Sequence, residues 1–463
     1  MRDRAPGGSH VGAATQELAG WGRFRPQPCH FYEPVVEMDL AALLRTDQER
    51  TYIPRGLGRS YGDAAVNGNA ATVSMVRLNH ITSLSSDLKI LECEAGVSLD
   101  RILRVILPRG LFLPVTPGTR HVTVGGAIAA DVHGKNHHQV GSFANFVQDF
   151  ELLTVEGERL HCSREDHPDV FWATVGGMGL TGFITRARIL LRSVESVYMS
   201  VRYEKAANLE DTFRVLEEGD RSYEYSVAWV DCAAREGNVG RSVTMFGRHA
   251  TAEEIPARPG GPLALPRRLE ISVPFAIPLA PHRRWALAAL DAVYYAGHPT
   301  STTRIVNFDR FFYPLDTVGN WNDLFGRHGF IECQVVVPHD RALTVIGSIL
   351  ERVRQSGRTP FLGVLKRFGL PSGGLLSFPM PGCTFGFDLL VDRDLPRLLR
   401  EIEGMVVESG GRSYLAKDAT QSADGFAQSY PRLDDFRAIQ QRLDPHGRLS
   451  SSLSRRLQIT STR

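Results

Sequence analysis

The sequence predicts an α+β fold rather than a doubly wound parallel sheet. Residues 89–94 and 185–193 alternate with a period near two, which is typical of half-buried strands. Residues 99–107 carry apolar side chains at helical spacing, and Pro108 and Gly110 mark a helix end. Strands and helices mix along the chain without the steady alternation that a doubly wound sheet requires.

Size and composition limit the class of protein. The 463 residues are too many for one ordinary core and predict two or three domains. The formal net charge of +2 gives no bias toward nucleic acid, so no nucleic-acid partner is expected. The 6 cysteines form no CxxC pair, so no zinc or other metal site is predicted.

The N-terminus and the hydropathy pattern predict a cytoplasmic protein. Residues 1–20 contain two arginines but no apolar core, so no secretion signal peptide is expected. No run of about 18 apolar residues occurs, so no membrane span is expected. The most apolar stretch, residues 271–280, is interpreted either as a loop packed on its own domain or as a lip that contacts a membrane or an apolar substrate.

Composition also divides the chain into segments. Residues 1–17 are rich in Gly, Ala and Ser and predict a flexible tail. Glycine motifs dominate up to about residue 195 and thin out from there to about residue 410. Within that second part, the proline- and glycine-rich residues 255–266 predict a mobile loop.

Residues 177–182, GMGLTG, match the GxGxxG dinucleotide fingerprint. That motif holds a pyrophosphate only where a strand precedes it and a helix follows it. Here the preceding residues 167–174 have a helical pattern and the following residues alternate like a strand. The reversed context argues against a Rossmann domain.

Three other glycine-rich runs are better candidates for a phosphate site. They are RGLGRSYGD at 55–63, PGTRHVTVGGA at 117–127 and HGKNHH at 133–138. Glycines let successive backbone N–H groups turn toward an anion, and Ser60 can add a hydroxyl donor. The three runs together predict a site for a large diphosphate cofactor.

The order of these runs resembles a known family. RGLGRSYGD, VTPGTRHVTVGGAIAADVHGKNHH and FWATVGGMGLTGFI are similar to the PCMH-type FAD-binding domain of vanillyl-alcohol-oxidase-type flavoproteins, and most similar to the oxidase subunits of decaprenylphosphoryl-ribose 2′-epimerases. The likeness runs from residue 20 to residue 457, and HGKNHH and YLAKD are its specific segments. It implies an FAD-binding domain of residues 18–195 completed by residues 411–463. It also implies a substrate domain of residues 196–410, whose antiparallel sheet and helices cover the flavin.

The resemblance also implies how FAD is held. Many relatives attach the flavin through a histidine in the first loop, where this chain has Arg59, or through a cysteine in the segment matching residues 127–132, where this chain has none. FAD is therefore expected to bind non-covalently. The implied contact residues are Arg55, Gly56, Leu57, Gly58, Arg59, Ser60, Tyr61, Gly62, Gly118, Thr119, Thr123, Val124, Gly125, Gly126, His133, Gly134, Lys135, Asn136, Ile184 and Tyr414.

Oxidation of a secondary alcohol moves a hydride to the flavin and a proton to a base near the hydroxyl. The resemblance places YLAKD beside the flavin and makes Lys417 the first candidate, either as the base or as the group that holds the negative charge of reduced flavin. Without the resemblance, a surface lysine paired with Asp418 is the better interpretation. Tyr61 and His133 are the supporting candidates, as a hydroxyl relay and as a hydrogen-bond donor.

The resemblance also places side chains on the wall of the substrate pocket. Lys366 can meet a phosphate or a sugar hydroxyl. Close relatives carry glutamine at the position of Glu332 and asparagine at that of Thr384, and some carry cysteine at that of Gly386. A carboxylate at 332 disfavours an anionic group and favours a cationic one. The implied pocket residues are Trp229, Phe312, Glu332, Gln334, Lys366 and Thr384.

These expectations define an FAD-dependent oxidoreductase that forms a keto sugar. The leading hypothesis is oxidation of the 2′-hydroxyl of a polyprenyl-phosphoryl ribose, a cell-wall arabinan precursor, with a separate short-chain reductase completing an epimerisation. The alternative is the same chemistry on a soluble sugar, aminosugar or nucleoside of secondary metabolism, which Glu332 favours. A non-catalytic flavin-binding subunit and a nicotinamide-dependent flavin reductase are two further hypotheses. The intact Tyr61, His133, Lys366 and Lys417 argue against the former.

Overall fold

The structure is a computed structural model that describes residues 14–234, 237–257, 260–265, 271–273 and 284–460. Its strands are β1 (Ala14–Leu18), β2 (Gln27–Tyr32), β3 (Tyr52–Arg55), β4 (Ala71–Ser74), β5 (Ile81–Ser85), β6 (Ile90–Glu94), β7 (Leu111–Phe112), β8 (Val147–Leu153), β9 (Arg159–Ser163), β10 (Phe183–Leu190), β11 (Arg192–Ser193), β12 (Tyr198–Ala206), β13 (Tyr225–Val230), β14 (Ser242–His249), β15 (Ile271–Ser272), β16 (Ser301–Asn307), β17 (Val318–Gly319), β18 (Phe330–Val337), β19 (Gly363–Phe368), β20 (Gly382–Leu390) and β21 (Arg412–Ser413). Its helices are α1 (Glu37–Thr46), α2 (Leu99–Ile106), α3 (Val124–Ala129), α4 (His137–Val140), α5 (Pro168–Thr174), α6 (Leu209–Asp220), α7 (Arg284–Ala296), α8 (Phe308–Phe312), α9 (His339–Gln355), α10 (Leu395–Glu408), α11 (Ala423–Ser429), α12 (Leu433–Leu443) and α13 (Ser452–Arg456).

The first sheet has four strands in the order β1-β2-β4-β3. β1 pairs antiparallel with β2, whereas β4 runs parallel to both β2 and β3. The predicted flexible tail at residues 1–17 is therefore too long, because residues 14–17 belong to β1 and are held by backbone hydrogen bonds to β2. Residues 1–13 lie outside the described residues.

The second sheet is antiparallel, with five strands in the order β5-β6-β10-β8-β9. Ser98 caps the N-terminus of helix α2, where its Oγ accepts from Arg101 N, and a short 3₁₀ turn after the helix ends at Gly110 with φ 67°. This confirms the predicted helix and its end. Helix α5 precedes GMGLTG and strand β10 follows it, which confirms that this motif is not a Rossmann fingerprint.

The third sheet is antiparallel, with eight strands in the order β16-β12-β14-β13-β19-β20-β18-β21. One face buries Ala228, Val335, Leu365 and Phe385 in an apolar core that also contains residues of α6, α9 and α10. The other face points toward the glycine-rich loops. Because side chains alternate between faces along a strand, Trp229, Gln334, Lys366 and Gly386 lie on this second face. The α+β class is confirmed.

The C-terminal residues pack against the first sheet. Leu449 bridges Tyr52, and Ser450 N donates to the Tyr52 carbonyl at 3.0 Å. Arg456 forms an ion pair with Asp63 at 2.7 Å. The domain boundaries near residues 195 and 410 stay predictions. Residues 274–280 of the apolar stretch and residues 258, 259 and 266 of the predicted loop lie outside the described residues.

Candidate active site

A cavity of about 650 Å³ lies between the glycine-rich loops and one face of the eight-stranded sheet. Ligand pockets in proteins commonly measure roughly 300–1,000 Å³. The loops supply one wall, the sheet supplies the opposite wall, and residues of α7 and α8 lie at the side.

The RGLGRSYGD loop is held from two sides. Trp21 N donates to the Ser60 carbonyl at 2.8 Å, and Tyr61 N donates to the Ala416 carbonyl at 2.8 Å. Gly58 has φ 65°, a conformation that favours glycine. The N-terminal segment and the YLAKD segment therefore shape this loop together.

The PGTRHVTVGGA loop is held by a carboxylate from another part of the chain. Thr119 Oγ1 donates to Asp316 Oδ1 at 2.8 Å. Farther along, Thr123 Oγ1 accepts from Gly126 N at 3.1 Å at the start of α3. A Cβ added at Gly118 would meet no atom within 4 Å, so the backbone there borders open cavity.

The loops fit an FAD molecule. Glycine backbones line much of one wall, so N–H groups can approach a diphosphate without side-chain obstruction. Arg59 Cζ lies 3.8 Å from the centroid of the Trp21 ring, and Arg59 Nε is buried without a hydrogen-bond partner among the described residues. The predicted contact residues that line the cavity are Gly56, Leu57, Gly58, Arg59, Ser60, Tyr61, Gly118, Thr119, Thr123, Gly125, Gly126, His133, Gly134, Lys135, Ile184 and Tyr414.

Some predicted contact residues lie behind the cavity wall instead of on it. The Arg55 guanidinium donates to the carbonyls of Ala19 and Ala65 at 2.8 and 2.9 Å. A Cβ on Gly62 would lie 1.7 Å from the Asp418 carbonyl oxygen, so this glycine permits close packing of two segments. Both residues support the loop, and the sequence motif alone could not distinguish support from contact.

Val124 and Asn136 are likewise supporting residues. Val124 is completely buried in the apolar core. Asn136 is also completely buried, and its Nδ2 donates to the Pro114 carbonyl at 2.9 Å. Neither residue lines the cavity, because Val124 packs in the apolar core and the Asn136 amide is held at the Pro114 carbonyl.

Lys417 forms the central ion pair of the site. Its Nζ lies 2.8 Å from Glu332 Oε2 and 3.5 Å from the centroid of the Tyr61 ring. Burial lowers the pKa of Lys417, and the Glu332 carboxylate opposes that shift. The alternative interpretation, a surface pair with Asp418, is wrong, since Asp418 pairs with Arg456 at 2.9 Å instead.

Tyr61 lies between this ion pair and an aromatic cluster. Its ring centroid is 5.5 Å from that of Phe330 and 6.5 Å from that of Trp321. Burial first, and then the Glu332 carboxylate, raise the pKa of Tyr61 well above its usual value. The phenol therefore stays protonated and can donate a hydrogen bond.

His133 is joined to the substrate wall through an amide. Gln334 Nε2 lies 3.0 Å from His133 Nε2 and 3.1 Å from Thr384 Oγ1. The Gln334 amide therefore links His133 to Thr384. Burial, followed by the charge of Lys366, lowers the pKa of His133 well below its usual value. Thr384 does not itself line the cavity and contacts it through Gln334.

Two further lysines line the cavity. Burial and the charge of Lys417 lower the pKa of Lys366 to about 8, with Glu332 opposing them. Burial and the charge of Lys366 lower the pKa of Lys135 to about 7. Lys135 Nζ donates to the Phe312 carbonyl at 3.1 Å, and no residue in the described part of the chain pairs with Lys366.

The apolar part of the wall contains the predicted aromatic residues. The Trp229 ring centroid lies 4.5 Å from that of Tyr294, and Phe312 is buried beneath the cavity edge. A Cβ added at Gly386 would lie 3.5 Å from Gln334 Cγ and 3.6 Å from Glu332 Oε1. The sheet at Gly386 therefore has room for a small side chain.

Sequence reasoning missed Asp388, which pairs in register with Glu332 across β20 and β18. Burial raises the pKa of Asp388 to about 7, although the N–H groups of Phe361 and Leu362 donate to its carboxylate. The period of two along β20 could have identified it, because it follows Gly386 on the same face. No sequence signal indicated Asp316, which is 197 residues along the chain from Thr119, the loop residue that it holds.

The fold and the site define an FAD-binding oxidoreductase. The FAD binding domain family matches residues 28–163, and the D-arabinono-1,4-lactone oxidase family matches residues 391–457. The chain is 38% identical over 451 residues to decaprenylphosphoryl-beta-D-ribose oxidase of Mycolicibacterium smegmatis, which covers 96% of this chain and 98% of that protein. The chain belongs to the family of that oxidase.

Two other relatives extend the comparison. An uncharacterised protein in the mprA 5′ region of Streptomyces coelicolor is 35% identical over 370 residues, which is 78% of this chain and 100% of that protein. Cytokinin dehydrogenase 2 of Arabidopsis thaliana is 33% identical over 138 residues, which is 30% of this chain and 27% of that protein.

The comparisons confirm the predicted family, the fold class and FAD as the cofactor. Non-covalent attachment stays a prediction, as do the roles of the individual site residues. Within the described ranges, no helix is both long and apolar enough to cross a membrane.

Proposed function

We propose that this chain oxidises the 2′-hydroxyl of a polyprenyl-phosphoryl ribose to a 2′-keto sugar, as the first half of an epimerisation. The observation that carries the proposal is the single cavity that combines a glycine-lined cofactor wall with Lys417, Tyr61, Glu332, Lys135 and Lys366. The name of the Mycolicibacterium smegmatis relative, similar over 96% of this chain, supports the choice of substrate.

Bound FAD supplies the hydride acceptor. The chain's own residues then orient the sugar and accept the hydroxyl proton. Lys417 is the proposed proton-handling residue, with the Tyr61 hydroxyl as its neighbour. His133, which burial keeps neutral, is proposed to orient the sugar by hydrogen bonding rather than by charge.

The proposed phosphate position lies near Lys366. This ammonium group faces the cavity and has no partner among the described residues, whereas Lys417 is already paired with Glu332. A phosphate is a strong acceptor for such a cation. Lys135, whose Nζ donates to the Phe312 carbonyl, lies near enough for the charge of Lys366 to help burial lower its pKa to about 7, so it adds a second amine that is partly protonated at neutral pH.

A lipid-linked substrate also requires an apolar exit from the cavity. Leu290 and Tyr294 of α7 line the cavity, and Leu290 is 54% exposed. We propose that the polyprenyl chain passes over these residues while the protein contacts the membrane surface peripherally. A separate short-chain reductase is the proposed partner, because the keto sugar must be reduced to complete an epimerisation.

The direct test mixes the purified FAD-containing protein anaerobically with a short-chain polyprenyl-phosphoryl ribose. We expect the flavin absorbance to bleach and the sugar to lose two hydrogens in the mass spectrum. Deuterium at C2′ should slow bleaching, and NADPH without sugar should not bleach the flavin. Absence of sugar-dependent bleaching would contradict the proposal.

The second candidate substrate is a soluble sugar or aminosugar, and it was favoured by the charge of Glu332. The structure weakens that argument, since Lys417 lies 2.8 Å from Glu332 and neutralises it. We therefore expect Glu332→Gln to change the ratio of kcat/KM for a phosphate-bearing and a neutral sugar by less than about threefold, well under 1 kcal/mol of discrimination. If this ratio instead shifts about a hundredfold toward the phosphate-bearing sugar, Glu332 acts as an unpaired carboxylate. The soluble sugar would then be the better candidate substrate.

A further inference from the structure

A second, small cavity lies directly behind the Lys417–Glu332 pair. It measures about 30 Å³ and lies on the side of the pair away from the large cavity. The two cavities share four lining residues, Glu332, Gln334, Tyr414 and Lys417. Residues of β18 and of the YLAKD segment therefore lie between the two cavities.

The small cavity combines apolar side chains with a few polar ones and has room for water. Gln421 is 4% exposed and lines it, and neither Oε1 nor Nε2 of this amide has a hydrogen-bond partner among the described residues. Buried amide groups are normally satisfied by protein or by ordered water. About 10–15 Å³ of such space holds one water where polar partners surround it. One or two waters therefore fit here and would satisfy Gln421.

The cavity also reaches a partly exposed carboxylate. Glu403 of α10 lines it. Glu403 Oε1 accepts from Ser422 N at 2.9 Å and from Ser422 Oγ at 2.7 Å, and both of these hydrogen bonds are exposed to solvent. The small cavity thus connects the ion pair at the active site with a carboxylate at the protein surface.

We propose that this cavity is a proton exit, in which Glu332 passes the proton of the sugar hydroxyl through one or two ordered waters to Glu403 and then to solvent. The inference rests on the proposed alcohol oxidation. In that reaction the C–H bond of the carbinol carbon gives a hydride, with two electrons, to FAD. The O–H bond gives its proton to the Lys417–Glu332 pair as the carbonyl forms.

The charges around Glu332 favour this direction. On the large-cavity side it faces Lys417, Tyr61, Lys366 and Asp388, where two cations repel an added proton. On the other side Glu403 and Asp418 contribute negative charge. Asp418 itself cannot easily receive the proton, because its carboxylate is held by Arg456 at 2.9 Å and accepts from Thr420 N and Gln421 N.

The kinetic test replaces Gln421 with leucine, which has similar volume but no polar atoms. We expect the rate constant of flavin reduction by the sugar to fall about tenfold to a hundredfold at neutral pH, approaching the lower range of acid–base contributions. Small buffer bases should restore part of that rate, because they can remove the proton by another route. The matched control is Ser429→Ala, which also removes a buried unpartnered polar atom but lines neither cavity, and it should leave rate and rescue unchanged.

A high-resolution crystal structure supplies a readout that does not depend on activity. We expect an ordered water within hydrogen-bond distance of the Gln421 amide and of a Glu332 oxygen, and its loss in Gln421→Leu. A dry cavity, or a Gln421→Leu protein with wild-type rates and no buffer rescue, would overturn the proton exit. A wild-type protein whose flavin no sugar reduces would instead overturn the proposed function, while the water test would still decide on the cavity.

Discussion

At the scale of single residues, the chemistry of the cavity depends on which charges have partners. Lys417 pairs with Glu332, whereas Lys366 has no partner among the described residues and Lys135 donates to a carbonyl. Burial therefore acts on Lys366 and Lys135 with little compensation, and it lowers their pKa values to about 8 and about 7. The pKa of an ordinary lysine is near 10.4. The two cavity lysines therefore lose their charge much closer to neutral pH than exposed lysines do.

Lys417→Ala should abolish sugar-dependent flavin reduction while FAD stays bound. The side chain acts mainly where charge develops during the reaction, so its loss should lower the rate far more than binding. We expect a decrease of about a hundredfold or more, measured by stopped-flow absorbance. Lys205→Ala is the control, because Lys205 lies over the Tyr295 ring and does not line the cavity. Near-wild-type reduction in Lys417→Ala would remove this lysine from the mechanism.

The pH dependence should report on Lys366. Its ammonium form is present below pH about 8, so kcat/KM for the phosphate-bearing sugar should fall as the pH rises through that value. Lys366→Met should lower kcat/KM at pH 7 and remove this decrease. If kcat/KM of Lys366→Met still decreases near pH 8, the titration belongs to another group.

Stability should depend on pH through the same lysine, with the opposite trend. The unfolded chain keeps this proton up to about pH 10.4, whereas the folded chain loses it near pH 8. Between these values the unfolded state binds more protons, so this group makes the free energy of unfolding rise with pH. In urea titrations of the apoprotein, the stability advantage of Lys366→Met over wild type should shrink from pH 7.5 to pH 9.5. A constant difference would contradict the lowered pKa.

At the scale of elements, the site depends on how closely the YLAKD segment packs on the first glycine-rich loop. Gly62→Ala would place a Cβ 1.7 Å from the Asp418 carbonyl oxygen, a contact with backbone that cannot yield easily. We expect a loss of about 1–3 kcal/mol in the free energy of unfolding. Gly404→Ala is the contrasting variant, since its Cβ would meet no atom within 4 Å on helix α10. It should stabilise the protein by about 0.5–1 kcal/mol. Equal denaturation midpoints for the two variants would contradict this packing.

The sequence predicted some of the secondary-structure elements and missed others. Alternating residues identified β6 and β10, and the Pro–Arg–Gly sequence identified the end of α2. The sequence pattern predicts a flexible tail where strand β1 lies, because the small and polar residues of this strand carry no apolar face. These residues form a strand because β2 supplies partners for their backbone hydrogen bonds. No local sequence pattern indicates such partners.

At the scale of the whole molecule, FAD should be released completely on denaturation. Arg59 occupies the position where many relatives carry an attachment histidine, and its guanidinium stacks on Trp21 at 3.8 Å. A guanidinium cannot form the covalent link. After acid precipitation, all the flavin absorbance should appear in the supernatant, with a covalent flavoprotein as the positive control. Flavin that remains with the pellet would show that another residue forms the attachment.

The sequence by itself determined the cofactor, the family and most of the glycine-rich loops that line the cavity, since these properties depend on short contiguous motifs whose glycines act locally. Only the tertiary structure decided which charges meet. Lys417 and Glu332 are 85 residues apart, and Asp418, the neighbour that would pair with a surface Lys417, pairs with Arg456 instead. No sequence pattern indicates the small cavity behind that pair either. Charge pairing and burial depend on the distances between elements that are remote in the sequence. No local pattern in a single sequence specifies those distances.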